Sequence, residues 1–243
     1  MRRRLLWRKE SYPVNHAEKT AALDSISRVW LGLALIVFAV GQYLAFKAPP
    51  DVQQGYLIRI LYVHVGAAWV AYLAFFVAMV YAVLYLWKQD PAYDRLSAAS
   101  AEIGLLFMLL TLFGGMMWAR PTWGVFWTWE PRLTTSAILT AFYVGYFLLR
   151  HAIEDPEFRA KAAAAAAILG VANIPINYMS VYWWRSIHQT ATLDLINRRV
   201  HMDGAMLLAM LVNLFAITLF YLAFLRIRAR IAARAAAREE WDE

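Results

Sequence analysis

Six long apolar runs constrain this chain more than any other feature. A run of about eighteen apolar residues can cross about 30 Å of hydrocarbon as a helix rising about 1.5 Å per residue. The runs lie at Val29–Phe46, Ile60–Trp87, Ala101–Trp118, Thr134–Leu149, Ala162–Trp183 and Gly204–Leu225. A backbone in lipid must satisfy its own polar groups, so each run is read as helix. The expectation is an all-α integral membrane protein with six transmembrane helices. The second run is longer than an upright span needs and is expected to tilt or to extend past the membrane, whereas the fourth is short. Composition agrees, with 62% of the 243 residues hydrophobic, 17% charged and a mean hydropathy of +0.47.

Lysine and arginine in the connections set the orientation. With the N-terminus inside, segments 1–28, 88–100, 150–161 and 226–243 carry seventeen of the 24 Lys and Arg. Both termini are therefore expected in the cytoplasm. Residues 1–28 read as a retained cytoplasmic segment, 29–225 as the membrane domain and 226–243 as a basic cytoplasmic tail continuing the last helix. The formal charge of +7 follows these segments rather than a nucleic-acid face. Cysteine is absent, which excludes disulfides, thiolate ligands and thioether attachment of a cofactor.

This orientation places two loops outside, 119–133 between helices three and four and 184–203 between helices five and six. The first contains most of "WGVFWTWEPRLT", and the second begins within "SVYWWRSIHQ". His64, in "YVHVGAAW", falls about one turn inside the outer end of helix two, on a face shared with Ala67, Ala68 and Ala71. Small neighbours leave room for a second helix or for a planar ring. His64, His188 and His201 are on the outer side, His16 and His151 on the inner. His64 and His188, from separate segments near one surface, suit axial coordination of a haem iron. His201 is the weaker candidate, since it adjoins Asp203, a helix cap.

Tryptophan commonly marks membrane interfaces, which accounts for Trp7, Trp30, Trp87 and Trp183. It accounts less well for Trp118, Trp123, Trp127 and Trp129 within twelve residues, joined by Phe126. At helical spacing, Trp123 pairs with Trp127 and Phe126 with Trp129, giving a broad aromatic shelf. Arg120 and Arg132 beside it suit anionic groups such as propionates, and Glu130 suits either arginine or a partner. In helix five, Asn173 and Asn177 bracket Pro175. An ordinary proline kink, with the amides bonding freed backbone, is preferred there over a polar ligand path. The sequence has no P-loop, no HExxH and no serine-nucleophile motif, so it is not expected to hydrolyse nucleotide or to be an enzyme.

"WARPTWGVFWTWEPRLT" resembles the tryptophan-rich signature of the cytochrome c assembly family, W-G-x-x-W-x-W-D-x-R-L-T. With six spans, "YVHVGAAW" and "SVYWWRSIHQ", residues 25 to 225 are similar to its cytochrome c maturation protein C branch. The chain departs from the signature at Glu130, where aspartate is usual, and at Pro131, where a small residue is more common. The resemblance implies a bacterial inner-membrane protein that binds haem b non-covalently at the periplasmic face. It implies His64 and His188 as axial ligands, with Trp118, Trp123, Trp127 and Trp129 supporting the porphyrin. It further implies an ABC-type complex with cytochrome c maturation proteins A, B and D, and delivery of haem to the periplasmic chaperone, protein E. Two alternatives compete. One is a membrane b-type cytochrome in quinone-linked electron transfer, against which the chain has no second histidine pair within its spans. The other is a structural subunit whose tryptophans only anchor a loop.

Overall fold

The structure, a computed structural model, describes residues 23–189, 192–194 and 198–242. The basic N-terminal segment up to residue 22, with Trp7 and His16, lies outside the described residues. Helix α1 (Ser25–Lys47) leads through a 3-10 turn (Tyr56–Ile58) to α2 (Arg59–Lys88) and α3 (Pro91–Trp123). Helices α4 (Pro131–Ala152), α5 (Pro156–Val171) and α6 (Asn173–Trp183) follow. A small antiparallel ribbon of β1 (Leu193–Asp194) and β2 (Arg199–Val200) precedes α7 (Gly204–Asp242). Helices α5 and α6 together make one crossing, so six segments among the described residues are long and apolar enough to span a membrane. The expected all-α, six-span architecture is observed. Beyond Leu225, α7 continues without a break.

Three helices begin with the same device. Asp90, Glu130 and Asp155 each cap a helix whose first residue is proline: Pro91, Pro131 and Pro156. The carboxylate accepts a free amide of the first turn, and proline lacks an amide there to leave unpaired. The unusual Glu130–Pro131 pair is thus a helix start.

The interior is built from small residues. Ala34, Ala67, Ala71, Ala74, Ala78 and Ala82 are buried, while Leu33, Ile36, Phe76, Phe113 and Leu148 are exposed on the outside of the bundle. This is the pattern expected where lipid is as apolar as any core and close approach of backbones drives association. Helix α2 lies at the centre and packs extensively on α3, and also on α5 and α7. Phe75 of α2 stacks on Tyr143 of α4 with ring centroids 3.6 Å apart. Helix α1 packs chiefly on α7, where Gly41 lets Asn213 approach and Gln42 donates to Asn213 Oδ1 at 2.6 Å.

Charged pairs tie the opposite end of the bundle. Arg150 donates to both carboxylate oxygens of Asp94 at 2.6 and 2.8 Å, joining the end of α4 to the start of α3. Asp24 caps α1 and also receives Arg226 and Arg230 of α7 at 2.7 and 3.0 Å.

Candidate functional site

The connections after α1, α3 and α6 meet at one end of the bundle. Between them sit His64 and His188. His64 is in the second turn of α2, with its ring against two glycines of α3. A Cβ at Gly115 would stand 3.2 Å from His64 Cε1, and one at Gly114 would stand 3.7 Å from Nδ1. Glycine inside a helix costs about 1 kcal/mol relative to alanine, so a pair of them calls for a packing reason. Here Gly115 makes room for the imidazole, while Gly114 sits at ordinary contact distance from it. One turn later on α3, Trp118 meets the His64 ring edge-on, with centroids 5.8 Å apart. The His64 Nδ1 is buried and has no hydrogen-bond partner among the described residues.

His188 lies in the connection after α6. Its peptide amide donates to Ser186 Oγ at 3.0 Å, and its Nδ1 is 2.9 Å from the Gln189 carbonyl. A carbonyl only accepts, so Nδ1 carries the hydrogen and Nε2 keeps a lone pair. Such an Nδ1–H to carbonyl bond is a common way of orienting a metal-binding imidazole. Burial and the charge of Arg132 push the His188 pKa below the ordinary histidine value, opposed by the Gln189 carbonyl and Glu130. The neutral form that a ligand requires is therefore favoured. Trp123, the last residue of α3, meets His188 edge-on at 6.1 Å. Each histidine thus has one indole beside it.

The tryptophan-rich stretch differs from its expected form. Helix α3 runs on to Trp123, and Gly124 stops it in the left-handed region at φ +79°, where a Cβ would be strained. The connection is therefore only 124–130, and Trp118 and Arg120 are helical. Because the helix ends at Gly124, the expected i,i+4 pairing of Trp123 with Trp127 does not form. Trp127 instead meets Trp129 edge-on at 5.5 Å. Trp129 is 78% exposed whereas Trp118 is 8% exposed, so the four indoles are not one flat shelf. Arg120 donates to the Gly124 carbonyl at 2.5 Å and lies over the Phe126 ring.

Glu130 pairs with neither arginine. One oxygen accepts Leu133 N at 2.5 Å, capping α4, and the other accepts the Ser186 hydroxyl. Ser186 in turn receives the His188 amide, so the cap of α4 also holds the histidine segment. Arg132 donates one terminal nitrogen to the Tyr178 carbonyl of α6 at 2.9 Å, while its Nε is buried and unpartnered.

The break in the fifth crossing falls at Ala172, ahead of Pro175. The Asn177 amide does not serve freed backbone of its own helix, contrary to the proline-kink expectation. Fully buried, it donates to Arg132 O, Thr135 Oγ1 and Ser136 Oγ of α4 and accepts from Tyr72 of α2. It fixes α6, and so the root of the His188 segment, to the first turn of α4.

Sequence reasoning missed Gly114, Gly115, Gln54 and Ser186. The glycine pair was the available signal, because two glycines in a helical run carry a cost. Gln54 and Ser186 gave none, being common polar residues that matter only through partners distant in sequence. His201 donates its amide to Thr192 O and lies 3.8 Å from Asp194.

Besides His64 Nδ1, the buried polar atoms without a partner among the described residues include Trp127 Nε1, Thr128 Oγ1, Arg132 Nε and Thr134 Oγ1, in the connection before α4 and in its first turn. Each such group costs about 1–3 kcal/mol if left dry. His64 and His188, each with an indole at its edge, and the Arg132 guanidinium whose charge acts on His188 are residue types that suit a metalloporphyrin.

Six helices apolar enough to span a membrane define the class, a multi-pass membrane protein, here with His64 and His188 each set beside an indole. Residues 13–242 match the family model described as Heme exporter protein C. A protein of that name from Bradyrhizobium diazoefficiens is 36% identical over 211 residues, covering 86% of this chain and 80% of the relative. That of Escherichia coli K12 is 38% identical over 166 residues, 67% of each chain. That of Haemophilus influenzae is 37% identical over 176 residues, 71% of each. The chain belongs to the Heme exporter protein C family.

Proposed function

We propose that the chain handles haem for cytochrome c biogenesis by holding haem b, as cargo, between His64 and His188 at the periplasmic face of the bacterial inner membrane. The observation that carries this reading is the pair of histidines itself. His64 has glycine-made space and an unpartnered nitrogen, and His188 is held as the Nδ1–H tautomer with Nε2 free. When bound, the iron would take two neutral imidazoles and become low-spin.

The chain's own residues would do the rest. Trp118 and Trp123 would confine the two imidazoles from their edges. Trp127, Trp129 and Phe126 would offer a partly exposed aromatic surface to the porphyrin or to a recipient protein. Arg120 and Arg132 are the candidates for the propionates, and Arg132 keeps Nε free for such a bond. Glu130 would act as a positioning residue through Ser186. Cytochrome c maturation proteins A, B and D would form the surrounding ABC-type complex, with protein A hydrolysing ATP. Protein E would be the periplasmic chaperone that takes the haem. This chain would bind and present its cargo rather than act as an enzyme.

Absorption spectra of the purified full-length chain supplied with hemin test the reading. The wild type should show a low-spin bis-histidine spectrum, and His64→Ala and His188→Ala should each lose it. Retention of that spectrum by both variants would sink the ligand assignment.

A further inference from the structure

Gln54, in the connection between α1 and α2, touches both halves of the site. Its Oε1 accepts the Trp118 indole N–H at 2.8 Å, and its Nε2 donates to Gln189 Oε1 at 3.1 Å. The indole can only donate, which fixes the orientation of the Gln54 amide. Beyond Trp118 lies the His64 ring, and the Gln189 carbonyl receives His188 Nδ1. Among the described residues, no other side chain hydrogen-bonds to both of these flanking residues.

The connection bearing Gln54 is itself closed. Asp51 Oδ1 accepts the amides of Gln53 and Gln54 at 2.9 and 2.8 Å, and Asp51 and Gly55 exchange backbone bonds at 3.1 and 2.9 Å. Gly55, at φ +56°, makes the turn possible. Behind Gln54 and Gln189 lies a cavity of about 600 Å3 bordered by Asp51 and His201.

We propose that Gln54 is a positioning residue that sets the separation of the two haem-ligating histidines, by strutting Trp118 on α3 against Gln189 beside His188. This rests on the reading of His64 and His188 as axial ligands. The strut holds the loop histidine at its distance from the helical one before cargo arrives. Without it, the 184–189 segment is tethered to this end of the bundle mainly through Ser186 and Glu130, and His188 engages only part of the time.

The test uses the detergent-purified full-length chain with hemin. Gln54→Leu should still bind haem but convert part of the low-spin signal to a high-spin, carbon-monoxide-binding form. Trp118→Phe, which keeps a ring beside His64 but removes the donor, should shift the spectrum the same way, and the double variant should add nothing. Gln54→Glu should largely preserve the low-spin form, since it still accepts from Trp118 and Gln189 can turn its amide to donate. In the haem-free chain, Gln54→Leu should speed amide exchange at 184–189 as well as at its own turn. An unchanged spin state in Gln54→Leu, in a preparation where His188→Ala loses the low-spin signal, overturns the proposal. If both histidine variants kept that signal, the ligand reading itself would have failed, and this second result is distinguishable from the first.

Discussion

Ser186 donates its hydroxyl to Glu130, 56 residues earlier in the chain, and Glu130 uses its other oxygen to cap α4. One carboxylate therefore starts a membrane helix and anchors the histidine segment. Glu130→Ala should cost about 1 kcal/mol of stability for the cap alone. It should also release Ser186 and weaken haem retention, measured as haem per protein after gel filtration. Glu130→Asp should retain more haem than Glu130→Ala, because a carboxylate still caps the helix. Equal retention by wild type and Glu130→Ala would remove the anchoring role.

The glycine pair of α3 makes an asymmetric prediction. A methyl at Gly114 meets His64 at an ordinary 3.7 Å, so Gly114→Ala should keep the low-spin spectrum and gain roughly 1 kcal/mol of helix propensity. At Gly115 the contact is 3.2 Å, so Gly115→Val should push the imidazole aside and reduce the low-spin fraction. Absorption spectra and thermal unfolding of both variants would check the contrast.

The depressed pKa of His188 has a definite sign. The folded state disfavours the imidazolium, so the unfolded chain binds the extra proton and stability rises with pH across this window. Acidification below about 6.5, the ordinary histidine value, should progressively destabilise the haem-free chain. His188→Gln should make that pH dependence shallower, as read by tryptophan fluorescence during urea unfolding. An identical slope in the variant would mean that His188 does not carry the effect.

Asn177 joins three helices through a fully buried amide. Asn177→Leu removes the amide's hydrogen bonds to α4 and strands the Tyr72 hydroxyl, a loss of at least about 1–3 kcal/mol. Thermal unfolding should show the drop. Tyr72→Phe in the same background should recover part of it, because the stranded hydroxyl is then gone.

The membrane architecture was legible in the sequence because long apolar runs have few alternatives. The two histidines and the indoles could be singled out for a related reason, since a costly residue within a span and rare residues crowded into one connection both call for explanation. What stayed hidden depends on contacts distant in sequence. Helical spacing predicted a continuous aromatic shelf, but the left-handed Gly124 ended the helix in the middle of it. Glu130–Pro131 read as a departure from a motif, although the same acid–proline pair at 90–91 and 155–156 marks helix starts. Asn177 read as half of a local kink, and its partners proved to be on α4 and α2.

Helix α1 finds its main packing partner in α7 and touches α2 only slightly. Most of the described chain lies between the two, so during synthesis Gly41 and Gln42 wait without Asn213 until α7 has been made. A chain cut short before α7 would leave α1 without its main partner and the Gln42 amide without Asn213, a polar seam open to lipid and to quality-control proteases.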